Sequence, residues 1–214
     1  MVLTLLLVLG CERQDEASLP TAEPAPDALT TEAEFVGGSV CAECHEAATD
    51  AWSGSHHDLA MQLANATTVL GDFDDARFTY AGVTSHFYVE DDAYRVRTDG
   101  PDGKLEDYRI AYTFGVEPLQ QYLIKFPDGR LQALNIVWDT RPADAGGQRW
   151  FHLYPDEAVD AADELHWTRR LQNWNYMCAD CHSTNLDKGF DPDTHSYHTT
   201  WSEINVSCEA CHGP

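Results

Sequence analysis

Tyr108-Arg109-Ile110-Ala111-Tyr112, Tyr122-Leu123-Ile124-Lys125-Phe126 and Leu134-Asn135-Ile136-Val137-Trp138 put large aromatic or branched residues at every second position. That is the period at which side chains share one face of a β-strand. The alternation extends upstream through Phe78 and Tyr80, Phe87 and Val89, and Tyr94 and Val96. Asp91-Asp92, Asp99-Gly100-Pro101-Asp102-Gly103 and Pro127-Asp128-Gly129 separate the runs with turn-forming residues. Residues 77–138 therefore read as an antiparallel meander of about five or six strands. The stretch holds no Cys and only His86 among histidines, so it reads as a scaffold inserted between chemically active flanks.

Those flanks carry one five-residue word three times: Cys41-Ala-Glu-Cys44-His45, Cys178-Ala-Asp-Cys181-His182 and Cys208-Glu-Ala-Cys211-His212. Two thiols at this spacing can add across the two vinyl groups of one haem while the adjacent imidazole reaches the iron. Six of the seven cysteines belong to such words, and the triple occurrence makes accident an unattractive explanation. The sequence thus predicts three haem c groups, attached through Cys41, Cys44, Cys178, Cys181, Cys208 and Cys211, with His45, His182 and His212 as proximal iron ligands.

Around the words, apolar and acidic patterns suggest helices. Ala47, Ala48, Ala51, Trp52, Leu59, Ala60, Met61 and Leu63 follow the first word. Asp156, Glu157, Asp160, Asp163 and Glu164 precede Trp167, Leu171, Trp174 and Met177, predicting a helix over about 157–180, and Trp201–Val206 reads as a short helical entry to the third word. The expected fold class is α+β, haem-packed helices and loops with the inserted meander. No internal repeat accompanies the words.

Six-coordinate irons would need further ligands, and seven histidines lie outside the words: His56, His57, His86, His152, His166, His195 and His198. His57 ranks first, within reach of the first word with Trp52 available to pack on a porphyrin. His166 precedes Cys178 beside Trp167, and His152 lies in the run Trp150-Phe151-His152-Leu153-Tyr154. His86, His195 and His198 read as surface residues, and Met61 as core rather than axial thioether. Glu43, Asp180 and Glu209 fill the variable positions of the words and are expected to face solvent.

The 214 residues carry a formal charge of -23, which disfavours nucleic acid or an anionic membrane surface as partner and reads either as keeping an exported protein soluble or as steering toward a basic redox partner. Met1-Val2-Leu3-Thr4-Leu5-Leu6-Leu7-Val8-Leu9-Gly10-Cys11 reads as a signal peptide ending in a lipobox, with Cys11 cleaved and lipidated. Residues 12–35 are acidic, Pro- and Ser-bearing and almost without apolar side chains, hence a tether to a folded unit over 36–214. Placement in the periplasm or cell envelope suits covalent haem attachment. The ending Cys211-His212-Gly213-Pro214 suggests that more chain follows in a longer protein.

The first word followed by Trp52-x-x-Ser55-x-His57, the stretch Asn173-Trp174-Asn175-Tyr176-Met177 running into the second word and Ser183-Thr184-Asn185, and Thr200-Trp201-Ser202-Glu203-Ile204-Asn205-Val206-Ser207 running into the third resemble bacterial multihaem cytochromes of the cytochrome c-554 type. Longer relatives in that group carry C-terminal tetratricopeptide repeats. The resemblance implies electron relay and makes His57 a distal ligand. It also implies Cys-His-Gly-Pro-Gly with a further axial His a few residues on, beyond residue 214. Two alternatives remain. One is a hydroxylamine- or nitrite-type oxidoreductase with an open haem iron. The other is a structural zinc site formed by Cys178, Cys181, Cys208 and Cys211. No nucleophile elbow, P-loop, dinucleotide fingerprint or H-E-x-x-H is present.

Overall fold

A computed structural model describes residues 33–214, so the expected signal peptide, lipobox and most of the tether lie outside the described residues. Antiparallel β-structure dominates. The strands are β1 (Met61–Leu63), β2 (Ala76–Tyr80), β3 (Val83–Glu90), β4 (Ala93–Asp99), β5 (Leu105–Phe114), β6 (Leu119–Lys125), β7 (Leu131–Ala133), β8 (Ile136–Asp139) and β9 (Arg149–His152), with a small hairpin of β10 (Phe190–Asp191) and β11 (Ser196–Tyr197). The large sheet runs β2-β3-β4-β5-β6-β8-β9, with β1 paired to β5 and β7 to β6. Its two edges meet where the Tyr80 ring on β2 stacks on the His152 ring on β9, centroids 3.6 Å apart, which leaves a nearly closed barrel.

Alternation builds the barrel as the sequence suggests. Phe87 on β3 faces Val96 on β4 across a ladder pair, Ile110 on β5 faces Ile124 on β6, and all four point inward. Phe73, in the loop before β2, inserts as a hub with edge-to-face contacts to Phe87, Tyr94, Tyr122 and Trp150 at 5.0–5.5 Å. Trp138 and Trp167 complete this cluster. A second cluster at one end joins Met61, Phe114, Leu123, Leu131, Trp174 and Ala179.

The expectation of haem-packed helices with a meander of five or six strands is overturned. Only 16% of the structure is helical and the sheet has seven to nine strands. It begins at Met61 and ends at His152, wider than the expected 77–138. The helices are short: α1 (Gly38–Ala42), α2 (Glu46–Trp52), α3 (Trp174–Met177), α4 (Ala179–His182) and α5 (Glu209–His212). The acidic run expected to start a long helix instead makes turns, because Asp160 and Asp163 accept hydrogen bonds from the backbone N–H two residues on, at Ala162 and Leu165. Asp side chains compete with helix formation in this way. Residues 201–206 are likewise not helical; backbone bridges tie Thr184 to Glu203 and Asp187 to Thr200.

Candidate haem-attachment site

In all three words the second cysteine's N–H donates to the first cysteine's carbonyl, Cys44 to Cys41 at 3.2 Å, Cys181 to Cys178 at 3.0 Å and Cys211 to Cys208 at 3.2 Å. One helical turn thus sets both thiols on one side, the placement a single porphyrin requires. In each word the first cysteine is half-buried and the second exposed, and all six are unpaired thiols. Burial, with Cys208 and Glu209 nearby, pushes the Cys41 thiol up, and burial does the same to Cys178.

The third word is tied to both others. The first is clamped to the third: Glu209 accepts the N–H groups of Val36 (2.8 Å) and Gly37 (2.7 Å), and Glu203 accepts that of Gly38 (3.1 Å). Gly38 fits because a Cβ there would lie 2.5 Å from Ser207 Oγ. Trp52 Nε1 donates to the Val206 carbonyl at 2.9 Å, and Asn205 Nδ2 reaches Asp58. The second word is tied to the third through Thr184, whose hydroxyl donates to the Asn205 carbonyl (2.8 Å) and accepts the Ser207 N–H (2.9 Å). The second word also meets the barrel, where His182 Nδ1 lies 3.1 Å from the Ala60 carbonyl just before β1.

Glu209 was expected in solvent; at 5% exposure it is one of the few buried carboxylates, and sequence reasoning missed its role. No local signal could reveal it, since its partners are 172 and 173 residues away.

His45 and His212 are exposed and His182 is half-buried. His57 is exposed, and its carbonyl accepts the Val206 N–H, so the segment that bears it is stapled two residues before the third word. His166 and His152 have a different setting. His166 is buried, with Nδ1 2.8 Å from Thr168 Oγ1 and Nε2 3.2 Å from Asp99 Oδ2. His152 Nδ1 accepts the Tyr154 N–H, and burial lowers its pKa. Both line an interior cavity of about 30 Å³ with Asp99 and Asn135, space for about one water molecule and not for a porphyrin. Met61 is fully buried as core.

Among the described residues no three His, Cys, Asp or Glu side chains converge as a metal site, so Cys178, Cys181, Cys208 and Cys211 do not assemble the tetrahedral zinc alternative. Haem fits better. Each turn supplies two thiols on one side and an imidazole, and His182, whose Nδ1 must donate to a carbonyl, keeps Nε2 for iron. These features define a c-type cytochrome, a haem c protein of electron transfer. Residues 40–77 and 148–213 match the family model described as cytochrome c554 and c-prime, and the chain belongs to this bacterial cytochrome c family. The matched stretches contain all three words; the unmatched interval spans β3 to β8. No curated protein and no solved structure matches the chain.

Proposed function

We propose that the chain carries three haems c and relays electrons among them. Cys41 and Cys44, Cys178 and Cys181, and Cys208 and Cys211 form the thioethers; His45, His182 and His212 bind iron from one side, and His57 serves as a distal ligand near the third word. His166 and His152 belong instead to the barrel's interior network with Asp99. A bound haem supplies a one-electron iron couple, and axial side chains on both faces restrict it to electron transfer.

The observation that carries this reading is that the third word is tied to both others: Glu209 and Glu203 hold the segment of the first to the third, and Thr184 holds the second to the third. Porphyrins attached at three turns so joined are near neighbours, as relay requires. Placement in the periplasm or envelope, an anchor at Cys11 and a basic redox partner complete the proposal. They rest on the apolar N-terminal run and the charge of -23.

Pyridine haemochrome counting together with the intact mass tests it. Three haems per chain, with spectra that added cyanide leaves unchanged, are expected of the carrier. Fewer than three overturns the count, and a cyanide-sensitive haem overturns pure relay in favour of an open iron.

A further inference from the structure

We propose that one end of the barrel, Phe114 on β5 with the Gly115 and Ala60 backbone, is a positioning device for His182. It would set the properties of the second haem apart from those of the other two. The inference rests on the reading of Cys178-Ala-Asp-Cys181-His182 as a haem word.

The Ala60 carbonyl accepts two hydrogen bonds, from the Gly115 N–H at 3.1 Å and from His182 Nδ1 at 3.1 Å. A carbonyl offers no proton, so Nδ1 carries the hydrogen and the lone pair lies on Nε2. The barrel therefore fixes the tautomer before metal arrives. The Phe114 ring meets the imidazole edge to face, centroids 5.5 Å apart and planes at 89°, restricting rotation about the ligand's ring axis.

These groups are themselves rigid. Phe114 pairs with Met61 across the β1–β5 ladder, and Ala60, Met61 and Phe114 are 6%, 0% and 7% exposed. Cys178 and Ala179 pack on the same cluster, so the start of the second turn seats on the barrel end. His45 and His212 differ: both rings are exposed, and neither makes a side-chain hydrogen bond among the described residues. One ligand of three is thus pre-oriented by a folded scaffold. Hydrogen-bonded outer partners of this kind fix a ligand's tautomer and orientation and raise its basicity.

Redox titration and electron paramagnetic resonance of the full haem-loaded protein test the assignment, comparing wild type with Phe114→Leu, Phe114→Tyr and Leu131→Ala. Leu131 lies in the same cluster and serves as a packing control. In Phe114→Leu one reduction equilibrium should shift about tenfold, ~59 mV for a one-electron couple, with a changed resonance for that haem alone. Phe114→Tyr, which keeps the ring, should restore both. Leu131→Ala should lower the melting temperature without moving any potential. The inference is overturned if all three potentials stay in place in Phe114→Leu, if all move together, or if Leu131→Ala reproduces the shift. A wild-type protein with no haem at the second word would instead sink the underlying reading.

Discussion

Phe73 sits among four aromatic rings inside the barrel, whereas Tyr176 and Met177, just before the second haem word, are 64% and 50% exposed, and Val36 and Val40 beside the first are 58% and 49% exposed. The barrel closes its own core. The attachment layer consists of one- or two-turn helices too short to persist alone, joined by a few long-range hydrogen bonds to carboxylates and hydroxyls. The same chain thus contains a densely packed scaffold and a layer that leaves apolar side chains exposed. The second word stands between these extremes, since Ala179 is fully buried in the barrel-end cluster.

The largest effect should come from denying the chain its cofactors. With all six word cysteines replaced by Ser, hydrogen exchange read by mass spectrometry should show residues 76–152 still protected and residues 38–58 and 205–212 exchanging freely. Uniform protection across both regions, or uniform loss, would erase the contrast between them.

Next, Phe73→Ala opens the aromatic hub and should cost about 3–5 kcal/mol in denaturant unfolding, the usual range for emptying a large buried ring. Val40→Ala, a similar truncation on the exposed face of α1, should change stability by less than about 0.5 kcal/mol. Comparable costs at the two positions would mean that the attachment layer has a core of its own.

Glu209→Ala addresses the joint between the first and third words. Two backbone N–H groups lose a charged acceptor, worth about 1.5–3 kcal/mol together with the desolvation left behind. In the haem-loaded protein the magnetic coupling between the haems proposed for the first and third words should weaken, while Phe114-dependent properties of the one proposed for the second word stay fixed. Glu209→Gln, which keeps one acceptor oxygen, should fall between.

How much of this was readable in advance follows from the range of each interaction. The cytochrome c family was legible because a C-x-x-C-H word is made of adjacent residues, and β2 to β6 and β8 because an inward-outward period is local. Met61–Leu63 was hidden: three residues in a run spaced like a helix became strand β1 only because β5 offered Tyr112 to Phe114 as ladder partners. Arg149–His152 was read for its histidine and proved to be β9, paired with Ile136 to Asp139. The helix expected at 157–180 failed on side-chain competition by Asp160 and Asp163, visible in composition but outweighed by the acidic-then-apolar pattern. Glu209, Glu203 and Thr184 were illegible, since each acts on a segment that only the folded chain brings near.

The smallest expected effect lies on the barrel side and separates the regions by pH. Asp139, at the end of β8, is 2% exposed and accepts from Arg141 through Nε at 2.9 Å and Nη2 at 2.6 Å. Those bonds hold its carboxyl at about 2, down from an ordinary 3.8. A carboxylate whose folded-state pKa is depressed contributes stability that is fully present above the unfolded value. It loses that contribution as pH falls through the folded one, so the window runs from about 4 down to about 2. Asp139→Asn should therefore lower stability at pH 6 and flatten the decline between pH 4 and 2 relative to wild type, measured as melting temperature against pH. Because Asp139 lies on the barrel, the flattening should appear in the near-ultraviolet signal of the Trp138 and Trp150 cluster and leave the haem spectra unchanged. Parallel slopes for the two proteins would remove Asp139 from the acid sensitivity of the barrel.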